Sequence, residues 1–459
     1  MPAASPSCSQ RSRCLATKTA LITNPRPSQP DYWDVPALKT ELGRVLDICH
    51  GCRRCWNLCP SFGNIFKRID ALDDQLNGHA PDAAALAQAR DPVQALSRAD
   101  HRKLVDECYQ CKLCYNHCPY HPPHRYVLDF PRLMQRAKAV RVKAEGIART
   151  DRLFSRADLV GRLGSAFAGL ANWSARRPWP RLLMEKTLGI HRNRRLPLFA
   201  SQTFRKWWDW RGPKAREAGE AALIYTCTVN YNEPATGKAA IAALEKNGLQ
   251  AICPKQDCCG MPFLDAGDIA GAAAAARRMV RRLLPLALRR VPIVVLGPTC
   301  SFMMREEYPA LLENEDARRV AAMVKDIGEF MMDLARTGKL NQDFQPVGEN
   351  IVYQPPCHLK AQNFGLKSRD MLARLPGAKV TVADHCSTHD GTWSMKTPYF
   401  DMSMGLARKL FEEIEQAKPD AVATDCPLAA VQIEQGTGRR ARHPIVFLAR
   451  AYGYDPDQA

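Results

Sequence analysis

The sequence predicts a multidomain α+β chain: a helical, cysteine-bearing module followed by two tandem α/β domains. Three observations predict it. A C-x2-C-x2-C-x3-C-P run occurs twice, at Cys49–Pro60 and Cys108–Pro119, inside sequence rich in helix formers. Beyond residue 217 short apolar runs alternate with helical stretches, the pattern of parallel α/β layers. The cysteines of that second half recur with a period of about 130 residues.

At 459 residues the chain exceeds one ordinary domain. Its 18 cysteines are grouped rather than spread as in a secreted disulfide scaffold, which implies thiolates and a reducing compartment. The first 35 residues hold no apolar signal core, and no run approaches the roughly 18 apolar residues of a membrane span. The expectation is a cytoplasmic protein, peripheral on the cytoplasmic face of the inner membrane and without a transmembrane helix.

In chain order, residues 1–36 are rich in Ser, Pro and basic residues and read as a disordered tail, with Cys8 and Cys14 lacking evident partners. Residues 37–150 read as helices around the two cysteine runs. Asp34 is a fair cap, with Pro36 in the first turn of a helix. Further helices are expected over Asp70–Ala89 and Ser97–Glu107. The 49 positions from Cys59 to Cys108 leave room for helices between the runs, hence an α-helical ferredoxin.

Each run has the spacing that wraps backbone around a [4Fe–4S] cube. In two-cluster ferredoxins the fourth cysteine serves the other cube. Cys49, Cys52, Cys55 and Cys118 are therefore expected on one cluster, and Cys108, Cys111, Cys114 and Cys59 on the second. A pair of zinc sites would more often show separated C-x2-C pairs.

Residues 151–217 form a basic, Trp-rich linker. Residues 151–216 hold fifteen Lys/Arg against four Asp/Glu, a net +11, and include five of the eight tryptophans. Leu159, Leu163, Phe167, Leu170 and Trp173 recur at helical spacing, so one amphipathic helix is expected there. Such a segment suits an anionic lipid surface or a protein partner, and equally an apolar face packed on its own protein; nucleic acid is not expected as a partner.

In the first α/β domain, residues 218–340, strands are expected at Ala222–Cys227 and Pro292–Leu296, with helices over Gly237–Asn247 and Asp268–Arg290. Cys227, Cys258, Cys259 and Cys300 gather four thiolates suited to a third Fe–S cluster or a zinc ion, and Gly260 lets backbone come close. Cys253 reads as core. In the second, residues 341–459, strands are expected at Asn350–Tyr353, Lys379–Val382 and Asp420–Thr424. Only Cys357, Cys386 and Cys426 remain there, and His389 or His385 would complete a mixed metal site. No nucleotide-binding glycine fingerprint, serine triad or paired-carboxylate signature appears, so no catalytic residue is assigned.

The motifs Cys258-Cys259-Gly260-Met261-Pro262, Pro298-Thr299-Cys300-Ser301, Pro356-Cys357-His358-Leu359-Lys360-Ala361-Gln362-Asn363 and Cys386-Ser387-Thr388-His389-Asp390-Gly391 carry a resemblance, over residues 40–450, to the iron–sulfur subunits related to heterodisulfide reductase, whose cysteine-rich CCG domains occur in tandem. Within that family the likeness is to the branch serving anaerobic glycerol-3-phosphate dehydrogenases. The resemblance implies an α-helical dicluster ferredoxin fused to two CCG domains, an electron-transfer subunit passing electrons from a flavin dehydrogenase toward membrane quinone and helping to hold the complex on the membrane. A heterodisulfide-reductase-like thiol/disulfide or quinone reductase is the alternative it leaves open. The pattern departs from the family at Gly297, Ala423 and Ser387, where cysteines would stand. That departure favours a relay or structural role.

Overall fold

The computed structural model describes residues 25–78, 90–212 and 219–457. The predicted tail with Cys8 and Cys14, and the stretch 79–89 at the end of one predicted helix, lie outside the described residues. The chain divides into two compact units, residues up to 146 and from 147 onward.

The first unit is helical. Helix α1 (Val35–Cys52) is capped by Asp34, whose carboxylate accepts from the Ala37 N–H at 2.9 Å, with proline in the first turn. Helix α2 (Pro60–Asn77) starts ten residues before the expected Asp70, because Pro60 needs no amide partner at N1. Ser97 and Asp100 form a capping box on α3 (Arg98–Glu107). A short α4 (Leu113–His117) and α5 (Phe130–Glu145) complete the unit. Leu46, Phe62, Phe66, Ile69, Leu104 and Leu133 bury one core between them. Fully buried side chains of this kind contribute about 1.5–3 kcal/mol each.

The second unit opens with four short helices, α6 (Arg149–Ser155), α7 (Ala157–Ala166), α8 (Ala168–Arg176) and α9 (Pro178–Leu188). The single amphipathic helix expected over 159–173 is broken at Phe167, whose φ of −115° and ψ of 40° leave the helical region. Helix α7 packs inward through small residues. A Cβ on Gly161 would stand 2.1 Å from the Tyr231 ring, and the Ser165 hydroxyl points at the Tyr231 carbonyl. Its bulky residues face outward.

Two four-stranded parallel sheets follow. The first contains β1 (Ala221–Ile224), β2 (Ala251–Ile252), β3 (Ile293–Val295) and β4 (Val324–Asp326), in the order β2-β1-β3-β4. The second contains β5 (Asn350–Tyr353), β6 (Lys379–Val382), β7 (Ala421–Ala423) and β8 (Ala441–Arg442), in the matching order β6-β5-β7-β8. Registers match too: Ala222 pairs Ile293 in one, Ile351 pairs Ala421 in the other. The predicted internal repeat is thus a repeat of topology. Leu223, Val294, Ile327, Ile351, Tyr353 and Phe447 belong to one core shared by both sheets. Strands β2, β4 and β8, two or three residues each, were not anticipated.

Candidate metal centres and an adjoining cavity

Helix α1 carries Cys49 and Cys52 in its last turn and ends at Arg53, whose left-handed φ of 53° returns its N–H to the Cys49 carbonyl at 2.8 Å. Cys59 is extended and caps α2. In the second run Gln110 and Lys112 take left-handed backbone, coiling Cys108, Cys111 and Cys114 inward before Cys118 follows α4. These turns bring the sulfurs of different runs together. Burial, then the neighbouring charges of Cys118, Cys55 and Cys52, push the Cys49 thiol far up. Cys55 is pushed to about 11 by burial and by Cys118 and Cys52. Cys59 is raised by burial and by Cys108, and Cys114 by burial and by Cys111, Cys108 and Cys59.

The mutual repulsions run mostly within two sets, Cys49/Cys52/Cys55/Cys118 and Cys59/Cys108/Cys111/Cys114, while Cys55 also acts on Cys59 and Cys114. Amide hydrogens point at the sulfurs: the Tyr120 N–H lies 3.4 Å from Cys118 Sγ, and the Gln110 side-chain amide 3.4 Å from Cys108 Sγ. Buried thiols that repel one another are costly as thiolates and need a soft cationic assembly to hold them. Among the described residues no three His, Cys, Asp or Glu side chains converge as ligands of a single ion do. The donor set, four sulfurs per group with amides aimed at them, fits an Fe–S cluster.

In the second unit Cys227 and Cys300 follow β1 and β3, and Cys357 and Cys426 follow β5 and β7. Strands β1/β3 and β5/β7 are the pairs where each strand order reverses, the place where parallel sheets build sites. The four sulfurs of the first repeat are neighbours in series: Cys227 and Cys258, Cys258 and Cys259, and Cys259 and Cys300 perturb one another's titration. The adjoining Cys258 sulfur, burial, and the charge of Asp158 hold the Cys227 thiol well above its usual value.

Gly260 sits at φ 98°, and a Cβ there would press within 3.0 Å of Ala275, so the chain passes the Ala-rich helix Ile269–Leu288 at a distance that suits glycine. The Tyr308 hydroxyl donates to the Cys259 carbonyl at 2.9 Å.

Asp158 on α7 was not foreseen. Its carboxylate accepts from the Cys258 N–H at 2.5 Å and from Cys227 Sγ at 3.5 Å, and burial raises its pKa. It lies 69 residues from the nearer partner, Cys227, in sequence, and no local motif marks it.

The second repeat is different. Cys386 Sγ accepts from the Thr388 N–H at 3.3 Å, and Cys426 is pushed to about 11 by burial and by Asp390 and Asp425. His385 reaches outward to Glu413 at 3.5 Å. His389 is buried, 4% exposed, and neither ring nitrogen has a hydrogen-bond partner among the described residues. Burial, with the charge of Arg194, lowers its pKa to about 3. Arg194 is itself buried. It donates to the Ser394 carbonyl, Gln432, Gln435 and Ser403, with no carboxylate partner among the described residues, so burial lowers its pKa to about 10. Cys253 lies in the core, as expected. A cavity of about 230 Å3 lies between the repeats, walled by the four sulfurs of the first and by Cys357, Cys426 and His389 of the second.

These features define an iron–sulfur protein that joins a helical ferredoxin-type module to a tandem pair of cysteine-rich α/β domains. Sequence comparison agrees. The Citrate utilization protein B Fer4-like domain profile matches residues 42–144, and the Cysteine-rich domain profile matches 221–305 and 351–434. The C subunit of the anaerobic glycerol-3-phosphate dehydrogenase of Escherichia coli K12 is 30% identical over 303 residues, 65% of this chain and 76% of that one. Lactate utilization protein A of Geobacillus thermodenitrificans is 25% identical over 222 residues, covering 45% and 87%. An uncharacterized iron-sulfur protein of Methanocaldococcus jannaschii is 26% identical over 230 residues, covering 50% and 43%. The chain belongs to the family of iron–sulfur proteins with tandem cysteine-rich domains that includes the C subunit of anaerobic glycerol-3-phosphate dehydrogenase.

Proposed function

We propose that this chain is an electron-transfer subunit that takes electrons from a flavin dehydrogenase of the glycerol-3-phosphate dehydrogenase type and relays them toward membrane quinone. The observation that carries the reading is the close approach of eight cysteines from the two runs, Cys111 and Cys114 buried and the other six half-buried, which suits two [4Fe–4S] clusters in one helical module. Bound there, such clusters supply one-electron transfer. The chain's own residues hold the sulfurs, aim amide hydrogens at them and exclude water. Cys227, Cys258, Cys259 and Cys300 are the candidates for a third Fe–S cluster; the zinc alternative needs ligands converging on one ion, which the described residues do not show. The position of these four sulfurs on a cavity wall also favours a second reading, a thiol/disulfide or quinone reductase of the heterodisulfide-reductase type. Cys357, Cys386, Cys426 and His389 are the weaker metal set.

Membrane attachment has its own support. No described helix is long and apolar enough to cross a bilayer. Yet Leu159, Leu163, Phe167, Leu170, Trp179 and Leu183 stand exposed on α7 to α9, with Arg156, Arg162, Arg176, Arg177 and Lys186 exposed beside them. Amphipathic helices of that make-up lie in an anionic lipid surface.

Iron and zinc analysis of anaerobically purified protein, with EPR of the reduced and oxidised states, tests the relay. About eight irons per chain are expected from the helical module and about twelve with a third cluster. A content of one iron or less would sink the reading.

A further inference from the structure

The two cysteine runs are spaced alike and charged differently. Position for position, Gly51 and Arg53 of the first correspond to Gln110 and Lys112 of the second. Gln110 and Lys112 both take left-handed backbone, at φ 56° and 65°. Glycine enters that region without strain, so two long polar side chains held there answer to something besides the turn.

Their contacts show what it is. Lys112 is buried, 5% exposed, and its ammonium donates to Gln110 Oε1 at 2.8 Å. The other end of that carboxamide, Nε2, lies 3.4 Å from Cys108 Sγ. A carboxamide can turn either end toward a sulfur. An ammonium only donates, so Lys112 takes the oxygen and leaves the amide hydrogens for the thiolate. Burial raises the Cys108 thiol, while the Gln110 amide and the charges of Lys112 and Lys138 oppose that rise.

The cations of the first run face acids or water. Arg53 is exposed and donates to Asp70 on α2 at 3.1 Å. Arg44 pairs with Glu41 at 2.7 Å, and Arg54 is exposed. Paired or hydrated charges are screened, whereas a buried one acts at short range through a low dielectric. Positive charge and amide donors at a cluster's sulfurs favour the form with one more electron and so raise its reduction potential.

We propose that Lys112 is a positioning residue for electron flow: it fixes the Gln110 amide on Cys108 Sγ and makes the cluster on Cys108, Cys111 and Cys114 the first to accept an electron. The proposal rests on the relay reading and gives it a direction within the helical module.

Potentiometric titration of the cluster-loaded full chain, followed by EPR, tests it. In the parent the second-run cluster, identified by its altered signal in Cys111→Ser, should be reduced at the higher potential. Lys112→Met should lower its ratio of reduced to oxidised form about tenfold at a fixed potential, the worth of one hydrogen bond to a charged group. That is a fall of about 59 mV for one electron. The cluster on Cys49, Cys52 and Cys55 should stay within twofold. Lys112→Arg keeps the charge and should recover most of the loss, which a residue needed only for packing would not explain. Gln110→Leu drops the donor and should lower the same midpoint; it carries the test if Lys112→Met loses its iron. An unmoved midpoint, an equal fall at both clusters, or no recovery in Lys112→Arg would overturn the proposal. About eight irons with a midpoint indifferent to Lys112 would remove this inference and leave the relay standing. A midpoint that follows Lys112 in a chain that takes no electrons from the flavin dehydrogenase would do the reverse.

Discussion

Trp179 offers the sharpest test of the lipid face. It opens α9, is 64% exposed, and meets Trp173 edge to face with ring centroids 5.8 Å apart. An indole presents up to about 250 Å2, so roughly 160 Å2 of Trp179 is free to leave water. At about 25 cal/mol per Å2, complete transfer would be worth about 4 kcal/mol. An in-plane helix sinks only into the headgroup boundary, and half that value, about 2 kcal/mol, corresponds to roughly thirtyfold in partitioning. Trp179→Ala should therefore reduce co-sedimentation with anionic phospholipid vesicles by about thirtyfold, with no change in iron content or thermal midpoint. The parent's binding should also weaken as salt rises, because the flanking arginines act through a screened field. A folded Trp179→Ala protein that partitions within twofold of the parent would refute the assignment of this face to lipid.

Three other expectations follow from the geometry. Cys59→Ser should alter the EPR signal of the cluster on Cys108, Cys111 and Cys114 and spare that on Cys49, Cys52 and Cys55; the opposite pattern would mean that the runs do not cross. Gly161→Ala places a methyl 2.1 Å from the Tyr231 ring and should cost about 1–3 kcal/mol, read as a drop of several degrees in thermal midpoint. His389 makes stability pH-dependent. Its folded pKa of about 3 lies below its unfolded value of 6.5, so below pH 6.5 the unfolded chain binds the extra proton and stability falls as pH falls. Between pH 7 and pH 5 the loss should be about 2 kcal/mol. His389→Gln should remove that part of the slope in denaturant titrations, and an unchanged slope would contradict the burial of a neutral imidazole.

The two cysteine runs were legible because their information is local: three sulfurs at fixed short spacing and a proline that turns the chain. Strands β1, β3, β5 and β7 were legible because they are central and nearly continuous in apolar residues. The edge strands β2 and β8 hold only two residues each, below the length at which periodicity carries meaning. The stripe from Leu159 to Trp173 announced helical structure but not its break at Phe167, and it could not announce direction. Apolar periodicity predicts an inward face when the alternative is polar, but here the inward side is Gly161, Ser165 and Ala168, residues too small to register as a stripe. Asp158 and Arg194 were illegible for a different reason. Each acts on partners far away in sequence, and a lone charged residue in a basic segment reads as surface until the fold encloses it.

Helix α7 has a consequence for communication across the molecule. Leu159 looks outward, and the adjacent Asp158 holds the Cys258 amide and the Cys227 sulfur. Between them the helix sits against the Tyr231 ring at Gly161. A bulkier residue at position 161 would therefore disturb the exposed face and the sulfur site together, because one short helix carries both.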